Sequence, residues 1–305
     1  ISNYYGARAY SINLFDNTQK LYFKTGNVGD TAKIMKTDPE VNFVNYKSEV
    51  IASNITSDEA YVYGSPFDGN RIVKGRLPQY RNEFLVKAAL PSPNKFLEQL
   101  MKNQLEKSEI SVNEKVFVKE ELNLFFVHES PPLKDIIYWT NQISMNLYAE
   151  AILLSLCLNS GQANSDLGVK EVESFISSKG IDVEGMHLND GSGLSRNNGI
   201  TAKQMVQILQ QIKTTKEFDD FYKSLPVSGE SGTLRNFAKS ISGKVHAKSG
   251  YINGVRCYSG YLTTNSGREV VFSVMINNYT CSNYQIKKDI EGLLIQLQKL
   301  WLFSL

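Results

Sequence analysis

The sequence predicts an α+β fold in which a strand-rich region over 1–127 precedes a helix-and-antiparallel-sheet region over 128–305. Three observations carry this. Up to about Val127 apolar residues alternate with polar ones in short runs. After Ser130-Pro131-Pro132 they recur at helical spacing, and three alternating runs joined by Asn-Gly and Asn-Ser-Gly turns return between 244 and 277. The runs in the first region are Tyr10–Leu14, Lys20–Lys24, Val41–Asn45 and Glu59–Tyr63, separated by Gly, Asp and Asn turns. One helix interrupts them: Ser92 reads as its cap and Pro93 as its first residue, with Phe96, Leu97, Leu100, Met101 and Leu105 on one face. In the second region Ile136, Ile137, Ile143, Leu147, Ala151 and Leu154 mark a long helix through Leu158. Helices follow at 168–179, ended by Gly180, at 202–213 behind a Thr201/Gln204 capping box, and at 216–223. Strands at 244–252, 255–264 and 269–277 form an antiparallel meander through the Asn253-Gly254 and Asn265-Ser266-Gly267 turns. A last helix over 283–301 carries Ile286, Ile290, Leu293, Leu294, Leu297 and Trp301 on the face that would cover that sheet.

At 305 residues the chain is long enough for two domains at about 100 to 200 residues each. Its 33 basic and 31 acidic side chains leave a net charge of +2, and no basic run occurs, so nucleic acid is not an expected partner. The apolar runs around 151–158 and 293–302 fall short of the roughly 18 residues a membrane span requires. Cys157, Cys257 and Cys281 are widely spaced and odd in number and read as free thiols, the first two buried. His128, His187 and His246 are too scattered to suggest a metal site, and no cofactor is expected. The chain starts at Ile1 with no n-region or cleavage motif, so any signal peptide is expected to have been removed or to lie on sequence outside these residues.

Two segments suggest chemistry. Lys248-Ser249-Gly250 sets a cation, a hydroxyl and a residue without a side chain in succession on a strand, which could hold an anionic substrate and turn backbone donors toward a reacting carbonyl. Asp190-Gly-Ser-Gly-Leu-Ser195-Arg196-Asn197 places a serine and an asparagine two positions apart in a glycine-rich turn, the serine able to shuttle a proton near Lys248 and the asparagine able to pair with a substrate amide. A second account stays open: Ser195 and Asn197 cap the helix near Ala202 or bond their own turn, with Gly191 and Gly193 as turn glycines. His246 shares a strand face with Lys248 and reads as a surface histidine; Arg235 could assist a carboxylate or serve a structural pair.

Taken with Asn3–Gly6, Ser130–Leu133, Asn146–Glu150, Asp190–Ser195, Gly232–Arg235, Ala247–Gly250, Gly254-Val255 and Ser259–Tyr261 in that order, the chain resembles the C-terminal two-thirds of a low-molecular-weight class C penicillin-binding protein, of the D-alanyl-D-alanine carboxypeptidase/endopeptidase family. The resemblance implies a penicillin-binding, β-lactamase-like domain split by a strand-rich insertion. It implies a serine peptidase that acylates itself on peptidoglycan peptides ending in D-Ala-D-Ala, is inhibited by β-lactams, and is periplasmic or otherwise exported from a bacterium. In it Ser195 would relay a proton, Asn197 hold the substrate amide and Lys248 supply positive potential. Ser249 would reach the substrate carboxylate where threonine is commoner, Gly250 let substrate approach, and the Tyr251 N–H serve the oxyanion.

The resemblance also requires a nucleophilic Ser-x-x-Lys at a helix start. Ser92-Pro-Asn-Lys95, which alone has that spacing, reads as a cap, so the nucleophile is expected upstream of Ile1 and the fragment alone is expected to be inactive. The rival readings are a non-catalytic wall- or partner-binding relative, and a β-lactamase or esterase on the same scaffold, against which the insertion and Asp190–Leu194 argue.

Overall fold

The computed structural model describes residues 2–65, 68–112, 126–158 and 161–300. The chain divides into two compact units, Ile1–Glu129 and Ser130–Leu305.

The first unit is built on two three-stranded sheets. One runs β2 (Lys33–Asp38), β1 (Thr18–Lys24), β6 (Phe84–Ala89), all antiparallel; the other sets β5 (Asn70–Pro78) between β3 (Asn45–Ser53), parallel to it, and β4 (Glu59–Tyr63), antiparallel. Alternation decides what is buried: Leu21, Phe23, Val86 and Ala88 of the first sheet share a core with Val50, Val62, Val73 and Leu77 of the second. Helix α1 (Pro93–Lys107) closes a smaller core in which Phe96 packs with Val41, Val44 and Leu90.

Three expectations need correction here. Tyr10–Leu14 is a turn, held by Asn13, whose side chain accepts from the Tyr10 N–H at 3.0 Å and donates to its carbonyl at 2.8 Å. Val41–Asn45 is not a strand of its own: 41–44 lead into β3, which begins at Asn45, because Val41 and Val44 turn together toward Phe96. Ser92 stands before α1 in a left-handed conformation (φ 49°), and its side chain makes no cap bond.

The second unit contains α2 (Leu133–Gln142), α3 (Asn146–Ser155), α4 (Ser165–Ser178), α5 (Ala202–Ile212), α6 (Phe218–Ser224), the antiparallel sheet β7 (Val245–Ile252), β8 (Val255–Thr263), β9 (Glu269–Asn277), and α7 (Asn283–Gln298). The meander, its two turns and the Thr201/Gln204 capping box are as the sequence predicts. Ile286, Ile290 and Leu294 of α7 are buried with Phe237, Tyr258 and Phe272, each such side chain contributing about 1.5–3 kcal/mol of apolar burial. Leu293 is exposed instead, and Trp301 lies outside the described residues. Cys157 is buried, Cys257 half-buried, and both are free thiols.

The long helix through Leu158 is really two helices. After Gln142 the chain turns at Ser144, whose φ is 56°, and the Met145 N–H donates back to the Thr140 carbonyl at 3.1 Å. This six-to-one bond over a left-handed residue is the helix stop that glycine usually serves, and here a serine occupies glycine's place.

Candidate active site

The site grows from the helix stop. In its left-handed conformation Ser144 directs its Oγ to the Lys248 ammonium, 2.7 Å from Nζ, and Asn146 stands two residues later as the first residue of α3. Lys248 also donates to the Ser249 carbonyl at 2.7 Å, and burial, which disfavours its charged form, pushes its pKa down from 10.5 to about 8. A lysine so placed is mostly cationic at neutral pH but loses its proton easily. The strain at Ser144 is retained where its hydroxyl meets the strand's cation.

β7 is an edge strand of its sheet, and among the described residues only part of its edge is covered. The Val245 carbonyl accepts from Ser228 N–H at 2.9 Å and the Ala247 N–H donates to the Pro226 carbonyl at 3.0 Å. By strand alternation Ser249 and Tyr251 point their backbone groups the same way, beyond the end of that cover. The Ser249 hydroxyl donates to Thr233 Oγ1 at 2.9 Å, in the turn at Gly232–Leu234. A Cβ at Gly250 would meet nothing closer than Cys257 Cβ at 3.6 Å, so packing does not require a glycine there. Gly232 differs: at φ 53° it lies against Gln142 at the end of α2, where a Cβ would come within 2.6 Å of Oε1 and 2.7 Å of the carbonyl. Gln142 in turn donates to the Ser224 carbonyl at 3.0 Å and Asn141 to the Ser224 hydroxyl at 2.7 Å, tying α2 to α6 beneath the site.

Ser195 and Asn197 do not make the expected pairing: Lys248 bonds Ser144, and no hydrogen bond joins it to either residue. Asp190 organises their loop, accepting from the Gly193 N–H (2.7 Å), the Ser195 N–H (2.6 Å) and the Asn198 amide (2.8 Å), while Ser195 Oγ accepts from the Asn197 N–H at 3.2 Å. The loop is fastened to α3 by Glu150, one turn beyond Asn146, which accepts from the Gly191 and Ser192 N–H groups at 3.3 and 3.0 Å. Gly191 allows this close approach, since a Cβ there would collide with the Ala149 carbonyl. The glycines and the aspartate thus build a loop that braces α3.

The remaining expected residues are all on β7 or close to it. Tyr251 is exposed, its ring beneath the Arg256 guanidinium at 4.4 Å and its hydroxyl accepting from Asn283 at 2.7 Å. His246 is half-buried rather than a surface residue and stacks on Tyr222 at 4.2 Å, where burial holds its pKa below the usual imidazole value. Arg235 is exposed. Among the described residues no cluster of His, Cys, Asp and Glu suits a metal ion.

The model of one family, D-Ala-D-Ala carboxypeptidase 3 (S13), matches residues 1–298. The chain belongs to that family. This S13 chain is 29% identical over 230 residues to the D-alanyl-D-alanine carboxypeptidase DacB of Haemophilus influenzae, covering 72% of the chain and 48% of that protein. It is 37% identical over 161 residues to a D-alanyl-D-alanine carboxypeptidase of Actinomadura sp., covering 50% and 30%. The S13 chain therefore spans about half or less of the length of these relatives. Its fold is that of penicillin binding protein 4 (dacB) from Haemophilus influenzae, with a TM-score of 0.80 at 23% identity over 98% of the chain and 70% of the other. The same protein complexed with a novel β-lactam superposes at a TM-score of 0.78 and 23% identity, over 97% and 72%.

Sequence reasoning missed Ser144, Asn146 and Thr233. The first two have the same Ser-x-Asn spacing as 195–197 and directly open the Asn146–Glu150 segment, so the signal was readable.

Proposed function

We propose that the chain supplies the Lys-Ser-Gly strand and the Ser-x-Asn turn of a serine D-alanyl-D-alanine carboxypeptidase/endopeptidase acting on peptidoglycan stem peptides. The 2.7 Å contact between Ser144 and the half-buried Lys248 carries this reading, because it couples a hydroxyl to a cation of lowered pKa beside an open strand edge. A substrate carboxylate would be drawn by the Lys248 charge and bonded by Ser249 and Thr233, with the peptide extended along the free edge of β7 over Gly250. The Tyr251 N–H would donate to the developing oxyanion. The role first assigned to Ser195 passes to Ser144, which hands a proton from Lys248 to the leaving amine; that of Asn197 passes to Asn146, whose amide holds the substrate.

In this reading the acylated nucleophile is a serine outside 1–305. Ser92–Lys95 belongs to the other unit, with Ser92 left-handed and Lys95 exposed. The substrate places the protein outside the cytoplasmic membrane, as a periplasmic or otherwise exported bacterial protein with β-lactams as inhibitors. No helix among the described residues is long and apolar enough to cross a membrane.

Full-length protein incubated with a penicillin and weighed intact tests this. An adduct on a serine outside 1–305 is expected, with D-alanine release reduced about 10²- to 10⁴-fold by Ser144→Ala, the range for a proton-transfer group, and severalfold at most by Ser195→Ala. An adduct on Ser92, no adduct at all, or equal losses in the two variants would overturn it.

A further inference from the structure

The first unit buries a cation that forms no ion pair among the described residues, the Asp68 carboxylate lying near enough to act on its charge but bonded to Asn70 instead. Arg71 on β5 falls on the inward face with Val73 and Leu77, and only 2% of it is exposed. Its Nη1 donates to the backbone carbonyls of Asp68 and Asn70. Among the described residues its Nε has no partner although it is fully buried, and no hydrogen bond uses Nη2. Asp68 gives its carboxylate to the Asn70 N–H and side-chain amide, each at 3.0 Å. Among the described residues neither Arg71 nor Arg8 forms an ion pair. The fold makes room for this arrangement: a Cβ at Gly64 would come within 2.5 Å of Nη1 and 2.6 Å of Cδ.

The two donors left over are not scattered. Nε–H and Nη2–H project from one side of the planar guanidinium as a parallel fork, the geometry that receives two oxygens of a carboxylate. Arg71 lines a cavity of about 310 Å³ together with Arg8, Tyr10, Ser2, Leu90 and Pro91. Arg8 is exposed, and Leu90, 3% exposed, and Pro91 give the wall an apolar stretch. A buried guanidinium with part of its donor fork unpaired and no direct ion pair is costly to the fold, so an anion held there would remove a penalty as well as form bonds.

We propose that this cavity is a binding site for a small carboxylate, whose oxygens take the Nε–H and Nη2–H of Arg71 while Arg8 closes over the charge and a short apolar body rests on Leu90 and Pro91. Phosphate fits the charge but not the apolar wall. The site stands apart from the peptidase reading, since every residue in it belongs to the first unit.

The test is titration of the full-length protein with N-acetylglycine, N-acetylglycinamide and inorganic phosphate, followed by calorimetry and by the thermal midpoint. Lys248→Met serves as the background that removes any carboxylate site on β7. The expected result is saturable binding of the acid alone, undiminished in Lys248→Met and weakened at least tenfold by Arg71→Met. Arg8→Gln, at an exposed position, weakens it severalfold and, with the contrast between acid and amide, decides the matter should Arg71→Met fail to fold. Binding of phosphate but not the acid, equal binding of acid and amide, loss in Lys248→Met, or no binding of any probe would overturn the proposal.

Discussion

Replacing Ser144 by alanine tests the coupling to Lys248 directly, and the structure gives both the size and the pH dependence of the effect. The variant removes one 2.7 Å bond from an ammonium that keeps only its bond to the Ser249 carbonyl. A hydrogen bond to a charged group contributes about 1.5–3 kcal/mol, a neutral one about 0.5–1.5. Because Lys248 titrates near 8 in the folded protein and at 10.5 when unfolded, it is ammonium at pH 7 and mostly amine at pH 9.5. Ser144→Ala is therefore expected to destabilise by about 2 kcal/mol at pH 7 and about 1 kcal/mol at pH 9.5. By linkage, that 1 kcal/mol difference moves the Lys248 titration about 0.7 pH lower in the variant. The wild-type direction is also fixed. Above about 8 the folded state sheds a proton the unfolded chain retains until about 10.5, so the Lys248 contribution raises stability across that window and leaves it at its lowest below it. Urea unfolding of the full-length protein followed by tryptophan fluorescence reports on this region through Trp139 and Trp301, the two tryptophans of residues 1–305, both of which lie in 130–305. A loss that is the same at both pH values, or smaller than about 0.3 kcal/mol at pH 7, would refute the coupling.

Two glycines separate a structural role from a functional one. Gly250→Val should leave stability within about 0.5 kcal/mol, since its nearest packing neighbour is 3.6 Å away, while lowering D-alanine release at least about 100-fold by blocking the strand; equal losses in both would show that the glycine serves the fold. Gly232→Ala should cost about 2 kcal/mol or more, because its Cβ meets the Gln142 carbonyl at 2.7 Å and φ is 53°, and an unchanged midpoint in urea would count against the contact between that turn and the end of α2.

The parts of this protein that sequence made legible are those in which one signal acts alone. The β7–β9 meander is specified by period-two alternation and its turns, and α5 by a capping box with an apolar stripe, and both form where that pattern places them. Val41–Asn45 misleads because two valines spaced for a strand pack together on Phe96 instead, a tertiary choice that local pattern does not encode. The site was half legible. Lys248 announces itself by its triplet, whereas Ser144 is concealed because helical periodicity from Ile136 to Leu154 runs straight across the stop; only the left-handed turn at 144, which no glycine marks, reveals the break. Asp190–Asn197 drew attention for the opposite reason: glycines and polar residues that brace a loop look in sequence much like those that line a cleft.

The short bare stretch of β7 also bears on self-association. A long naked strand margin invites other copies to add themselves and grow into aggregates, and proteins commonly guard against this with charge or with brevity. Here the segment at 226–228 masks the margin up to Ala247, and the residue where it becomes bare is a lysine. What remains is only a few residues long, too little to template a second sheet, so in the reading proposed above the stretch offered to a substrate peptide would also limit what else can dock there.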